Sequence, residues 1–154
     1  MKLVRHSADG FVFELSAKEK DLLLNVLKLY PRIPSARQPL RRSSTLTEDQ
    51  SSQRLLDEAL AEQRKQNQKQ LQALLKDSAR LTRHEAAWRL SLSTAEMEWL
   101  LQVLNDVRIG SWVLLGSPES PLEKVNLETA PHLWAMEMAG SFQMYFLQML
   151  EQGA

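Results

Sequence analysis

Asn105, Asp106 and Arg108 bring a carboxamide, a carboxylate and a guanidinium into an otherwise apolar stretch, between Leu104 and Val107, Ile109 and Trp112. Such a set can move a proton, hold an anion or close on itself as a hydrogen-bond network; left unpaired among apolar neighbours it would be costly. On a helix Asn105 and Arg108 share a face, as do Arg108 and Trp112, while Asp106 points elsewhere. Arg108 is thus placed to stack on Trp112, and Asp106 needs a partner from another element. A buried network tying this helix to its surroundings is the plainer reading; a ligand or partner site is the alternative.

Other chemistry is thinner. His6, His84 and His132 are scattered, and none has the HExxH spacing of a zinc helix, so no metal is expected. The chain has no cysteine, which removes thiolate catalysis, disulfides and cysteine ligands together. No Gly-rich phosphate loop, nucleophile elbow or close carboxylate pair is present, so no cofactor is expected and catalysis has no positive support. Arg32, Arg37, Arg41 and Arg42, with Arg64, Lys65 and Lys69, could form a basic strip for phosphates. No aromatic residues interleave them for base stacking.

A different kind of surface lies near the C-terminus. Trp134, Met138, Phe142, Tyr145 and Met149 belong to a run apolar around more than one helical face, the pattern of a core helix or one shared with a partner.

The elements that must carry these residues are legible in outline. Lys2 to His6 and Phe11 to Leu15 flank a turn containing Asp9-Gly10, which predicts a β-hairpin. A helix should follow from Ala17 to about Tyr30, where Pro31 stops it. Residues 32–46 are rich in Pro, Arg and Ser without periodicity and read as a mobile loop. A long helix should run from near Thr47 to about Asp77. Its apolar positions, Leu55, Leu56 and Leu60, then Leu71, Leu74 and Leu75, sit at its ends, and its middle, 61–70, is almost wholly polar. Such a helix is expected to project from or arch over the core, held by its ends. Further on, a strand around Ala87 to Leu92, a helix from Thr94 bent or ended by Gly110 or Gly116, and a last helix from Pro131 to near Glu151 complete the reading.

Two of these units say the same thing. Phe11 to Leu27 align without a gap on Trp88 to Leu104, matching at Leu15/Leu92, Ser16/Ser93, Glu19/Glu96, Leu23/Leu100, Leu24/Leu101, Val26/Val103 and Leu27/Leu104. In each copy a period-2 strand meets Ser-x-x-Glu, a capping box in which the hydroxyl and the carboxylate each accept from the other residue's backbone N–H. Internal similarity on this scale sets architecture. The copies part after Leu27 and Leu104, where one reads Lys28-Leu29-Tyr30-Pro31 and the other Asn105-Asp106-Val107-Arg108.

With 154 residues, 44% of them hydrophobic, the chain can bury a real core. The 19 basic and 19 acidic side chains cancel, so no overall field draws it to nucleic acid or anionic membrane. No run approaches the roughly 20 apolar residues of a membrane span, and the first ten residues lack a secretory pattern. The expectation is a cytoplasmic protein. Its fold is predicted as one α+β domain, mostly α, over residues 1–154. A small antiparallel sheet of hairpin plus one strand is joined by four main helices, with repeat units at about 11–30 and 88–109.

Leu104, Asn105, Asp106 and Arg108, followed by Leu115 and Gly116, with the Leu-rich helix before them and the aromatic helix after, resemble an uncharacterised bacterial family. It is a domain of unknown function common in actinobacteria. Gly110-Ser111-Trp112 makes the spacing to Leu-Leu-Gly longer than that family's. The resemblance implies at most a link to regulated proteolysis, since such genes tend to lie near that of the Clp protease adaptor. The function expected is therefore a non-enzymatic interaction or regulatory protein with a protein partner or as a homodimer. Nucleic-acid binding through the 32–42 arginines and the 61–70 helix is the alternative, and an enzyme centred on Asp106 and Arg108 comes third.

Overall fold

The capping boxes form in both copies and set where each repeat turns from strand to helix. Ser16 Oγ accepts from Glu19 N–H at 3.1 Å while Ser16 N–H donates to the Glu19 carboxylate at 3.1 Å; at Ser93 and Glu96 the same pair measures 3.1 and 2.7 Å. Each box Glu also meets a cation at 2.8 Å, the Met1 α-amino group at Glu19 and Arg80 at Glu96.

The computed structural model describes residues 1–32 and 47–153, with only the backbone described at 47–49 and at Lys124. Along the chain run β1 (Lys2–Ser7), β2 (Gly10–Leu15), α1 (Ala17–Leu27), α2 (Thr47–Lys76), β3 (Leu81–His84), β4 (Ala87–Leu92), α3 (Thr94–Leu114), a 3₁₀ turn (Pro121–Lys124) and α4 (Ala130–Gly153). The protein is α+β and mostly helical. The order ββαα occurs twice.

The antiparallel sheet has the order β1-β2-β4-β3, two hairpins side by side. Phe13 pairs with Leu90, its own counterpart in the repeat. On either side the partners exchange: Phe11 pairs with Leu92, the counterpart of Leu15, and Leu15 with Trp88, the counterpart of Phe11. Reciprocal pairing of this kind marks a local two-fold axis between β2 and β4. Gly10 is required where β2 enters this seam, since its φ is 135° and a Cβ there would collide with the Leu92 carbonyl.

Four strands, rather than the expected three, make the sheet. β3 buries little, its four residues being mostly exposed, so it has no apolar alternation to mark it, and its turn to β4 uses Glu85 and Ala86. Glu85 takes φ 55° without the Gly or Asn that advertises such turns. α1 also stops earlier than expected, at Leu27; Leu29 and Tyr30 continue only as turns bonded to the Val26 and Leu27 carbonyls. The residue before a proline avoids helical geometry, so the helix unwinds ahead of Pro31.

α3 continues through Gly110 to Leu114 and is stopped by Gly116 two residues beyond. There Gly116 N–H donates to Val113 O and Ser117 N–H to Trp112 O, the two bonds of a Schellman stop, with Gly116 at φ 90°. Phe11, Phe13, Leu15, Leu90 and Leu92 of the sheet face a core shared with α1, α3, α4 and the end of α2. At its centre Phe13 meets Phe146 edge-on with ring centroids 5.0 Å apart.

α2 departs most from expectation. Only its C-terminal end enters the core, through Leu71 and Leu74. The other apolar end does not anchor it: Leu55 and Leu56 are 67% and 52% exposed. What holds the middle is polar, because Arg64 and Asn67 turn inward on the same stripe as Leu71 and Leu74.

Candidate functional site

The cluster read from 105–108 divides in two. Asn105 and Arg108, one helical turn apart on α3, face α4. Arg108 donates through Nε to Gln143 Oε1 at 3.1 Å and through a terminal nitrogen to Asn105 Oδ1 at 2.9 Å, and Gln143 Nε2 donates to the Leu101 carbonyl at 3.4 Å. This network fastens α3 to α4. A Cβ on Gly140 would lie 3.2 Å from Arg108 Cδ, so the glycine lets the guanidinium stem pass close to α4. The expected stack of Arg108 on Trp112 does not form. Trp112 instead donates Nε1–H to Pro118 O at 2.9 Å, and among the described residues the cation over a ring is Lys20 above Trp88, at 4.3 Å.

Asp106 points the other way, towards α2, as its position one residue along the helix requires. Its Oδ1 accepts from the Arg32 backbone N–H at 3.4 Å, and Arg64 Nε lies 3.6 Å from Oδ2. Burial pushes the Asp106 carboxyl above its ordinary pKa, and the opposing pulls of Arg64 and the Arg32 N–H do not cancel it. Tyr30 joins it from the first copy. Its hydroxyl oxygen accepts from Asn67 Nδ2 at 3.1 Å, and burial, offset by that bond and then reinforced by the Asp106 charge, raises the phenol above its usual value.

These groups line a cavity of about 160 Å³ bounded by Tyr30, Leu60, Gln63, Arg64, Asn67, Gln102 and Asp106. The two stretches where the repeats part thus supply one residue each, Tyr30 and Asp106, to a common wall. Arg64 and Asn67 are the other half of the site; the sequence marks Arg64 only as part of a basic strip and Asn67 not at all, and their three-residue spacing in line with Leu71 and Leu74 is the one sign of an inward face.

Of the basic strip, Arg32, Arg64, Lys65 and Lys69 are among the described residues, and Lys65 and Lys69 are exposed on α2. Arg32 turns to His132, a terminal guanidinium nitrogen lying 2.6 Å from Nδ1. Burial and the Arg32 charge lower the His132 pKa, consistent with a neutral ring that accepts the bond. Arg64 lies against Asp106 through Nε. Arg37, Arg41 and Arg42 lie outside the described residues. Among the described residues no three His, Asp or Glu side chains converge as metal ligands.

The five apolar positions of α4 also divide. Phe142 and Met149 lie mostly in the core, although Phe142 also reaches the floor of the groove between α4 and α1. Trp134 and Tyr145 are 39% and 50% exposed, and Met138 is half-buried. Met138 and Tyr145 line a groove of about 520 Å³ between α4 and the start of α1, with Lys18, Glu19 and Leu22 opposite. Met144 and Leu147 are exposed on the other flank of α4, where both border a second, more open hollow at Arg108. No helix among the described residues is long and apolar enough to cross a membrane. No protein-family model, curated protein or solved structure matches the chain.

Proposed function

We propose that the protein is a non-enzymatic interaction protein that pairs with a second copy of itself through the outer face of α4. One observation carries this reading: Trp134, Met144, Tyr145 and Leu147 stand exposed on a single helix whose opposite side already fills the core. Large apolar side chains exposed together mark interaction surfaces, and these four flank the solvent side of α4, Trp134 and Tyr145 along one edge and Met144 and Leu147 along the other. A self-complementary patch closes as a two-fold dimer without leaving an open end. Regulated proteolysis is the process suggested by the family resemblance.

Sedimentation velocity tests it. The parent should run as a dimer at micromolar concentration, and Met144→Glu with Tyr145→Glu as a monomer of unchanged circular dichroism. A parent that is monomeric at every concentration would overturn the reading.

A further inference from the structure

The cavity between α2 and α3 carries chemistry that the dimer reading does not use. Asp106 is partly buried, its side chain 21% exposed, and its two contacts among the described residues are long: 3.4 Å to the Arg32 N–H and 3.6 Å to Arg64 Nε, against about 2.8 Å for a close charge-assisted bond. A desolvated carboxylate with slack partners favours an added donor. Arg64 meets Asp106 through Nε, so its two terminal nitrogens are not spent on that carboxylate. The Tyr30 oxygen accepts from Asn67, which leaves its own hydrogen to donate. The cavity therefore offers an anionic acceptor at one point and a cationic donor with a hydroxyl donor at another.

Its charge and size narrow the occupant. Arg64 and Asp106 cancel, so a net anion or cation would meet one repelling group, while a molecule carrying both charges meets two attracting ones. The cavity opens to solvent past Leu60, Gln63 and Gln102, and its roughly 160 Å³ is room for about five waters at about 30 Å³ each, or for one small metabolite. Leu60 supplies an apolar wall, and Gln63 and Gln102 supply amides.

We propose that this cavity binds a free α-amino acid, its ammonium on Asp106 and its carboxylate on Arg64 and the Tyr30 hydroxyl. The proposal is independent of the dimer, since the cavity and the outer face of α4 share no residue.

Calorimetric titration of the full chain with the twenty amino acids tests it, followed by the deaminated and decarboxylated analogues of the tightest binder. One or a few small amino acids should bind, and each analogue should bind at least about tenfold more weakly, the worth of one lost charge-assisted bond. Asp106→Asn should weaken binding by a similar factor. Tyr30→Phe, which keeps the buried ring, should weaken it less and serves as the readout if the Asp106 variant does not fold. Absence of heat with every amino acid at millimolar concentration would mean a water-filled cavity and overturn the proposal. So would equal binding of the amine or carboxylate analogue.

Discussion

α2 and α4 occupy the same place in the ββαα order, and each carries a stripe of the same spacing along one face, which in α2 goes from exposed at Leu60 to buried at Leu71 and Leu74. In α4 the stripe is Ala135, Ala139, Phe142, Phe146 and Met149, all buried; in α2 it is Leu60, Arg64, Asn67, Leu71 and Leu74. Intervals of four, three, four and three recur in both, as a helix face demands. The chemistry differs. α4 is held by apolar area, small residues admitting the backbone of α3 and aromatic ones filling the core, whereas the middle of α2 is held by an ion pair and a hydrogen bond. Net of the water they displace, such polar contacts are worth about 1 kcal/mol each. One geometry thus yields a fixed helix and a loosely latched one, and the latched one covers the cavity.

The largest test compares matched positions on the two stripes. Phe146→Ala, at the fully buried centre against Phe13, should cost about 3–5 kcal/mol and lower the whole denaturant transition. Leu71→Ala removes the corresponding residue of α2 and should cost about 2–3 kcal/mol. Its effect should be local: amide exchange should accelerate across 47–76 while α4 keeps its protection. If both variants loosen both helices alike, the distinction between fixed and latched is wrong.

A smaller effect probes what the two copies share. Ser16→Ala and Ser93→Ala each remove a hydroxyl that accepts from a helix N–H and should each lower stability by about 1 kcal/mol in urea titrations. Equal costs are expected because the boxes match, including the cation on each Glu. A large inequality would show that the α-amino group of Met1 and Arg80 are not equivalent partners.

What could be read in advance depended on range. The capping boxes span three residues and the alternation in β2 and β4 spans six, so both were legible. Glu85 and Ala86 hid β3, since positive φ at a glutamate leaves no mark in sequence. The need of Asp106 for a partner was visible from the helical wheel, but Arg64 and Asn67 look like any solvated residues among Glu, Gln and Lys. Their inward turn is decided by Asp106 and Tyr30, which are distant in the chain. On α4 the apolar run went nearly all round, so spacing alone could not separate the buried Phe142 and Met149 from the exposed Trp134 and Tyr145.

The smallest effect asks whether the latch on α2 is a net attraction. Burial raises the Asp106 carboxyl above its ordinary value despite Arg64. A carboxyl whose folded pKa exceeds its unfolded one favours the fold while protonated, below the unfolded pKa of about 4. That advantage is lost as pH rises to and through the folded pKa. Asp106→Asn cannot ionise, so its stability relative to the parent should increase as pH climbs from acid through the carboxylate range, then level off. Urea midpoints of the two proteins at matched pH measure the difference, and other carboxylates cancel to first order. The opposite slope would mean that Arg64 more than repays the desolvation of Asp106. α2 would then be clamped by its charges as firmly as α4 is by its aromatic rings, and the cavity between α2 and α3 would have less slack to offer a ligand.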